Sequence, residues 1–578
     1  MTERIDGFVS FTNGANDGVD ASVLADNYYA RGVNISTRGG LVKTRPPWKK
    51  LLTLESGLFQ RAALYRLNSA DRIVYTIAGN VKAINTSDMS VEDHSVVMSP
   101  TAARCYYVKP DEFFIIQDGT STPVILQGNV RVDSSLEQGF KVGTLMAYGH
   151  NRIFIVPRFV PDNAGVDTEE DGRPYFIASD LLFPYNKTRV FGWTENLYLN
   201  EGGAFSQPEE FGFINGLRFF RNAQTATGIG TLIVFGRDGN SSFAVNAPRS
   251  SWKDNDLSQV LFPENGTESP DSIINVNDDI LYRDNKTGIR SIRFQVSSVA
   301  SGTGIMSNPC LSNEVKYLFD LDLPEDLPYV SMASVNDRIY CTTGGRFNDG
   351  GFKCIVSLDS DLAHTINQLK SNAIYDGAWT GLSFLQILKA KYNDKDALYA
   401  FVKNGDGNEL WVLDESSTSA DNAETRTECR LYTKSMPHKI DDTVSTQREK
   451  VKALEFWFKD IVGRLDVTVY WRVDGYKLWN KMRTHTVLAS ESGLSQFRER
   501  IRITPVSDTV DETRERLTRI GSVFQYCIAW TGRCTLQKCK IFTESTTDPA
   551  SDVESESDVR TLEADDDQVE LDDFDYEI

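Results

Sequence analysis

A short unit recurs along the chain: a polar turn, then four to six mostly apolar, strand-forming residues. It reads Asp71-Arg72-Ile73-Val74-Tyr75, Asp111-Glu112-Phe113-Phe114-Ile115-Ile116 and Asn151-Arg152-Ile153-Phe154-Ile155-Val156. It returns at Gly230–Phe235, Asn277–Tyr282, Asn336–Tyr340 and Asn408–Leu413. Most copies lie about 40 to 60 residues apart, the length of a four-stranded propeller blade with generous loops. Apolar runs this short, bounded by Asn, Asp and Gly, read as strands. The pattern predicts an all-β fold with a β-propeller body over 58–440.

The flanks read differently. Residues 1–57 are rich in turn formers (Asn13-Gly14, Asp17-Gly18, Arg38-Gly39-Gly40) and run into Arg45-Pro46-Pro47-Trp48, so they predict an extended N-terminal arm. Within it, Asp26–Arg31 fits one short helical turn. Residues 159–174 form a polar insertion expected to project from the body. Over 441–542, Leu454–Phe458 and Leu465–Arg472 alternate as strands, and a C-terminal β-sandwich docked on the propeller is expected.

Charge separates one more segment. The chain of 578 residues carries a net charge of −20, and 543–578 hold 15 acidic residues against the single Arg560. That tail alone is −14, leaving −6 on the other 542 residues. The composition predicts a disordered or peripheral acidic tail, and such a tail on a nearly neutral body disfavours strong DNA binding. No run approaches the ~18 apolar residues needed to cross a bilayer. The start, Met1-Thr2-Glu3-Arg4-Ile5-Asp6, has no basic and apolar leader, so synthesis in a cytoplasm without membrane insertion is expected. Eight cysteines without a zinc-type spacing read as buried reduced thiols.

Little in the chain points to catalysis. The five histidines (94, 150, 364, 438 and 485) form no metal or nucleophile spacing, and His150 reads as a turn cap. Asp278-Asp279 and Asp376-Gly377-Ala378-Trp379 are the candidate acids for a propeller glycosidase, the latter reading as a turn beside a packed tryptophan. Asn404-Gly405-Asp406-Gly407-Asn408 could clasp calcium but reads as a hairpin tip, and Gly228-Ile229-Gly230 is a turn. The expectation is no enzyme, no catalytic or metal residues and no cofactor.

Several strings, in order, resemble a family of phage virion proteins. They are Asn34-Ile35-Ser36-Thr37-Arg38-Gly39-Gly40-Leu41-Val42-Lys43-Thr44-Arg45-Pro46-Pro47, Phe114–Gly119, Met146–Ile153, Thr194-Glu195-Asn196 with Glu201–Phe205, and Tyr375–Leu382. Over roughly 30–480 the chain is similar to the tail nozzle (tail tubular) proteins of short-tailed bacteriophages. The resemblance implies a virion protein, structural and nozzle-like, in a homo-oligomeric ring of six below the portal and adaptor. Such a ring would continue the DNA-ejection channel, let DNA pass without specific binding, and dock tail fibres or other tail proteins. It also makes Asn34, Arg38, Gly39, Gly40, Arg45, Pro46 and Trp48 candidate inter-subunit contacts. Arg38 and Arg45 read equally well as solvated charges. Two rival readings stay open: a glycosidase or depolymerase, needing two acids about 5 to 9.5 Å apart in the central funnel, and a module binding host-surface carbohydrate.

Overall fold

The computed structural model describes residues 4–9, 11–25, 27–38, 40–67, 70–161, 167–171, 173–195, 204–221, 228–246, 249, 252, 259–293, 310–359, 374–415, 427–437, 439–440, 443–444, 449–473, 479–481, 484–488, 496–502, 520–521, 523–545 and 568–569. The protein is all-β, and its body is a β-propeller. Among the described residues seven antiparallel blades follow one another. Their first strands are Phe59–Leu67, Tyr106–Val108, Gly143–Gly149, Ile214–Arg221, Ile274–Val276, Met332–Val335 and Ser383–Tyr392. All seven line one central cavity.

The recurrent apolar runs are mostly second strands. Ala70–Ile77, Phe113–Gln117, Arg152–Pro157, Ile229–Gly236, Asp279–Arg283 and Arg338–Arg346 each occupy that position. A second strand has a neighbour blade on both faces, so both alternating sets of side chains are buried and the run reads as continuously apolar. Ile73, Val74, Tyr75 and Ile77 are all fully buried. Several of the described turns that precede the copies hold a positive φ, which Asn and Asp tolerate. His150-Asn151, Asn336-Asp337 and Asn393-Asp394 adopt it in pairs.

The last of these turns corrects the repeat. The seventh second strand is Lys395–Asn404, entered through Asn393-Asp394, whereas Asn408–Leu413 lies in the third strand, Gly407–Leu413. The fourth strand of this blade comes from the opposite end of the propeller sequence. Trp48–Leu54 pairs antiparallel with Gly407–Leu413, matching Trp48 to Leu413 and Leu54 to Asn408. The residues expected at the end of a free arm are thus the strand that closes the ring. Leu54, Phe59, Tyr75, Tyr399, Phe401 and Leu410 share the core between the last blade and the first.

Other parts of the arm are strand as well. Tyr29–Val33 replaces the expected helical turn; it pairs with Glu428–Thr433 and touches the outer strand of the sixth blade through Val33 and Ala378. Val42–Thr44 joins Val523–Ser545, as does Arg4–Val9. The insertion contributes a separate hairpin, Phe159–Pro161 with Asp167–Asp171, between the second and third strands of its blade. Its central residues 162–166 lie outside the described set.

The C-terminal domain is organised differently from two independent sheets. Glu449–Val473 and Val523–Ser545 run antiparallel over their whole length, and other strands attach to one end or the other. Gln496–Arg502 pairs with the first half of the former, His485–Leu488 and Trp479–Lys481 with the second. Register shifts between Lys459 and Asp466, with positive φ at Asp460, Gly463 and Gly532, let both long strands bend there. Alternate residues of both halves (Leu454, Phe456, Phe458; Val467, Val469, Trp471) fall in one core with Ile35, Trp48 and the sixth and seventh blades. Of the acidic tail, the described parts are its first three residues, which end the strand Val523–Ser545, and Gln568–Val569, which pairs with Trp479–Lys481.

A chain starting at residue 58 lacks the closing strand and exposes the edge of Gly407–Leu413 together with the Trp48 site. It is expected to lose cooperative thermal unfolding and to bind a hydrophobic dye, whereas the full chain melts in one transition. Calorimetry on the two proteins checks this.

Candidate functional site

The residues expected to contact a neighbouring subunit turn out to be spent largely inside the chain. Asn34 is fully buried in the left-handed region at φ 54°. Its side-chain amide donates to Thr380 Oγ1 at 2.9 Å and to the Glu428 carbonyl at 3.0 Å. Its side-chain oxygen accepts from Arg45 Nε and from the Thr380 amide, both at 2.8 Å. Arg45 is buried as well, and donates to the carbonyls of Thr380 and Pro46 at 2.9 and 3.0 Å. Trp48 is fully buried and packs on Phe384. Asn34, Arg45 and Trp48 therefore present no surface to another subunit, because this chain already covers them. Pro46 is half-buried beside them. Arg38 is partly exposed but caps the sixth blade, donating to the Asn336 carbonyl at 2.6 Å, 3.7 Å from Asp359. Gly40 is a turn residue at φ 81°, and Gly39 lies outside the described residues.

Asp376 belongs to the same joint and sits in a strand, Ile374–Trp379, where a turn was expected. One carboxylate oxygen accepts from the Thr37 amide and hydroxyl at 2.8 Å, and the other lies 2.9 Å from Arg338. Trp379 donates to the Ile35 carbonyl at 2.8 Å. Gly377 is required here: at φ 96°, a Cβ would come within 2.1 Å of the Gly32 carbonyl oxygen.

The other acid pair is equally local. Asp278 is exposed on a hairpin turn, whereas Asp279 is buried behind it. Asp279 accepts from Ser291 Oγ at 2.5 Å, from the Arg293 amide at 3.0 Å and from the Ile280 amide at 2.7 Å. Neither Asp279 nor Asp376 lines the central cavity. Of the other candidates, His150 lies in its turn with Nε2 2.9 Å from the Gly230 carbonyl. Asn404–Asn408 spans a hairpin, with Asn408 pinned to the carbonyls of Glu55 and Gly57. All eight cysteines are free and seven are buried, which pushes the Cys341 thiol, for one, well above its ordinary value.

The feature that sequence reading missed is the lining of the central cavity, about 1310 Å³ in volume. Among its lining residues are Arg66, Lys109, Arg218, Arg221 and Lys389, against Asp271, Asp337 and Asp396. Arg66 is bound to Asp71 at 2.5 and 2.9 Å, and Lys389 to Asp396 at 2.7 Å. Asp271 is shared by Arg61 at 3.1 Å and Arg104 at 3.3 Å. Arg61 holds φ 104° and donates to the Leu385 and Tyr329 carbonyls, both at 2.8 Å, so it stitches the first blade to the last two. Burial, with Arg104 close by, lowers its pKa to about 9. A signal for this lining was present in Leu217-Arg218-Phe219-Phe220-Arg221, where cations interrupt an apolar strand.

No protein-family model matches the chain, and no curated protein matches it in sequence. Solved structures match it in architecture. A chain of the mitotic checkpoint complex is 8% identical over 64% of this chain and 95% of its own length, with a TM-score of 0.37. BBS1N, solved in complex with ARL6DN, is 9% identical over 64% and 99%, with a TM-score of 0.34. The β-propeller domain of Myceliophteria thermophila Cps50 (Swd1) is 10% identical over 64% and 100%, with a TM-score of 0.35. Likeness at this level carries nothing about activity or partners.

Two outcomes follow from the geometry. Asn34→Gly keeps the left-handed backbone but strips the buried hydrogen bonds, so it should cost about 2–4 kcal/mol. Arg45→Ala added to it should then cost far less than Arg45→Ala alone, as a denaturation double-mutant cycle would show. For Asp279, burial raises the pKa to about 6. The folded state therefore holds this proton more tightly than the unfolded chain, whose Asp titrates near 4. Its contribution to stability falls as pH rises from about 4 to about 6, by roughly 2–3 kcal/mol. Asp279→Asn should remove that component from the pH dependence of the melting temperature.

Proposed function

We propose that this chain is a structural subunit of a short-tailed phage tail, nozzle-like, acting by shape and contact and not by catalysis. In this reading copies of it assemble into a ring, six in number, that continues the ejection channel, seats on an adaptor and docks fibres. The chain would be made in the host cytoplasm and reside in the virion. The observation that carries the proposal is the use made of Asn34–Pro47, the segment with the most extended resemblance. It ties the arm, the last two blades and the C-terminal sheet into one core. A subunit in a wall that must hold its shape gains from such a joint. The rival glycosidase reading loses support, because Asp279 and Asp376 are held by structural partners away from the cavity. Within the cavity Asp271 is neutralised by two arginines and Asp396 by Lys389.

Electron microscopy of the purified chain mixed with a tail adaptor should reveal closed rings of constant subunit number. A chain that stays monomeric with the adaptor present would refute the assignment. Turnover of a host surface polysaccharide by the purified chain would refute the non-enzymatic part.

A further inference from the structure

We propose that the central cavity of the propeller is a binding site for a small, multiply charged oxyanion, with Arg218 and Arg221 as its main ligands and Lys109 as a third cation. This inference stands apart from any role in a virion.

Three observations carry it. First, the lining is cationic in a chain of net charge −20. Once Arg66, Lys389, Asp271 and Asp396 are set against their partners, Lys109, Arg218 and Arg221 remain. Among the described residues the side chains of these three make no hydrogen bond or ion pair, and Asp337 is the one lining acid without an ion pair there. Second, the backbone is shaped to bring the two arginines together. In a regular strand, residues three apart point to opposite faces. Here the register shifts between Phe219 and Arg221, which pair with Leu232 and Ile229. The bulge breaks the alternation, and Arg218 and Arg221 both border the cavity and are both exposed. Leu217 and Phe219, which also border the cavity, are buried in the core between the third and fourth blades.

Third, the arrangement is unfavourable when empty of counter-charge. Arg218 is exposed on the cavity, and desolvation, with Arg221 nearby, lowers its pKa, an effect that the charge of Asp271 partly offsets. Two like charges near each other on one cavity wall repel, and among the described residues no carboxylate forms an ion pair with either, although Asp271 acts on Arg218 from further off. An oxyanion accepting from both guanidinium forks removes the repulsion and supplies charge-assisted hydrogen bonds. The ligand class follows from that geometry: a phosphate- or carboxylate-bearing molecule with at least two negative charges, small enough to enter a cavity of about 1310 Å³. Converging cations walled by low-dielectric blades also focus the field on anions entering from solvent.

Calorimetric titration of the full chain with pyrophosphate, tripolyphosphate and citrate tests the site. The expected result is saturable binding of at least one probe, one site per chain, weakened by salt and raising the melting temperature. The phosphate and carboxylate probes separate the two ligand chemistries. Arg218→Ala should weaken binding about tenfold or more, and Arg218→Lys less, since an ammonium cannot make the bidentate contact. Lys389→Ala, at a cation already paired with Asp396, should change it little. Arg218→Met should raise the melting temperature without ligand while abolishing the ligand-induced rise. No saturable binding of any probe, or binding unchanged in Arg218→Ala, overturns the proposal. A stabilised Arg218→Met in a protein that binds none of them would likewise reduce Arg218 to a structural liability.

Discussion

Asn34 lies where three parts of the chain meet, and its side chain is divided among them. One face of the amide reaches Thr380, between the sixth and seventh blades; another reaches the backbone of the C-terminal sheet at Glu428; the oxygen receives Arg45 from further along the arm. The backbone amide donates to Ala378, and the carbonyl accepts from the Arg45 amide. Left-handed φ is what turns the chain from the strand Tyr29–Val33 into Ile35–Ser36, and asparagine tolerates that conformation better than most residues. Removal of any one partner leaves buried polar atoms without a mate, which makes the geometry specific as well as stable.

Around this polar point the apolar core is continuous. Ile35, Val42 and Trp48 of the arm pack with Tyr340, Trp379 and Phe384 of the blades and with Trp530 and Leu536 of the C-terminal sheet. The propeller and the C-terminal domain thus share one interior. Rigid-body movement between them would have to break that interior, so the two parts are expected to move as one. The joint and the cavity also divide the labour: buried ion pairs such as Arg338 with Asp376 serve the joint, while uncommitted arginines gather in the channel.

Much of the fold was legible because blade geometry writes itself into local sequence. Second strands are buried on both faces, and several of their described entry turns use Asn or Asp at positive φ, so six of the seven copies fell on the right strand. The seventh went astray because Asn408-Glu409-Leu410-Trp411-Val412-Leu413 mimics the unit, while Asn393-Asp394 opens on Lys395-Asp396 before the apolar run begins. The arm was misread for another reason. Its turn-rich composition describes how the chain bends, not what it bends around: Leu413, paired with Trp48, and Thr380 and Glu428, bonded to Asn34, lie more than 300 residues away. Asp376 looked like turn chemistry for the same cause, since Thr37 is invisible from its neighbourhood. The cavity cations were hidden because a single arginine in a strand has no periodicity to announce where it points.

Ring closure by Trp48–Leu54 has a temporal consequence. The closing strand leaves the ribosome early, but its partner Gly407–Leu413 follows some 360 residues later. At about 5–20 residues per second, that gap is on the order of 20–70 s. Throughout it the nascent disc is an open arc with a bare sheet edge at each end. Arg4–Val9 waits longer still, for Cys539–Thr543. Synthesis and folding are therefore coupled in an unusual order, with strands made well before their partners among the last to find their places. The polar residues of the arm then do a second job, keeping a waiting strand soluble until the circle can shut.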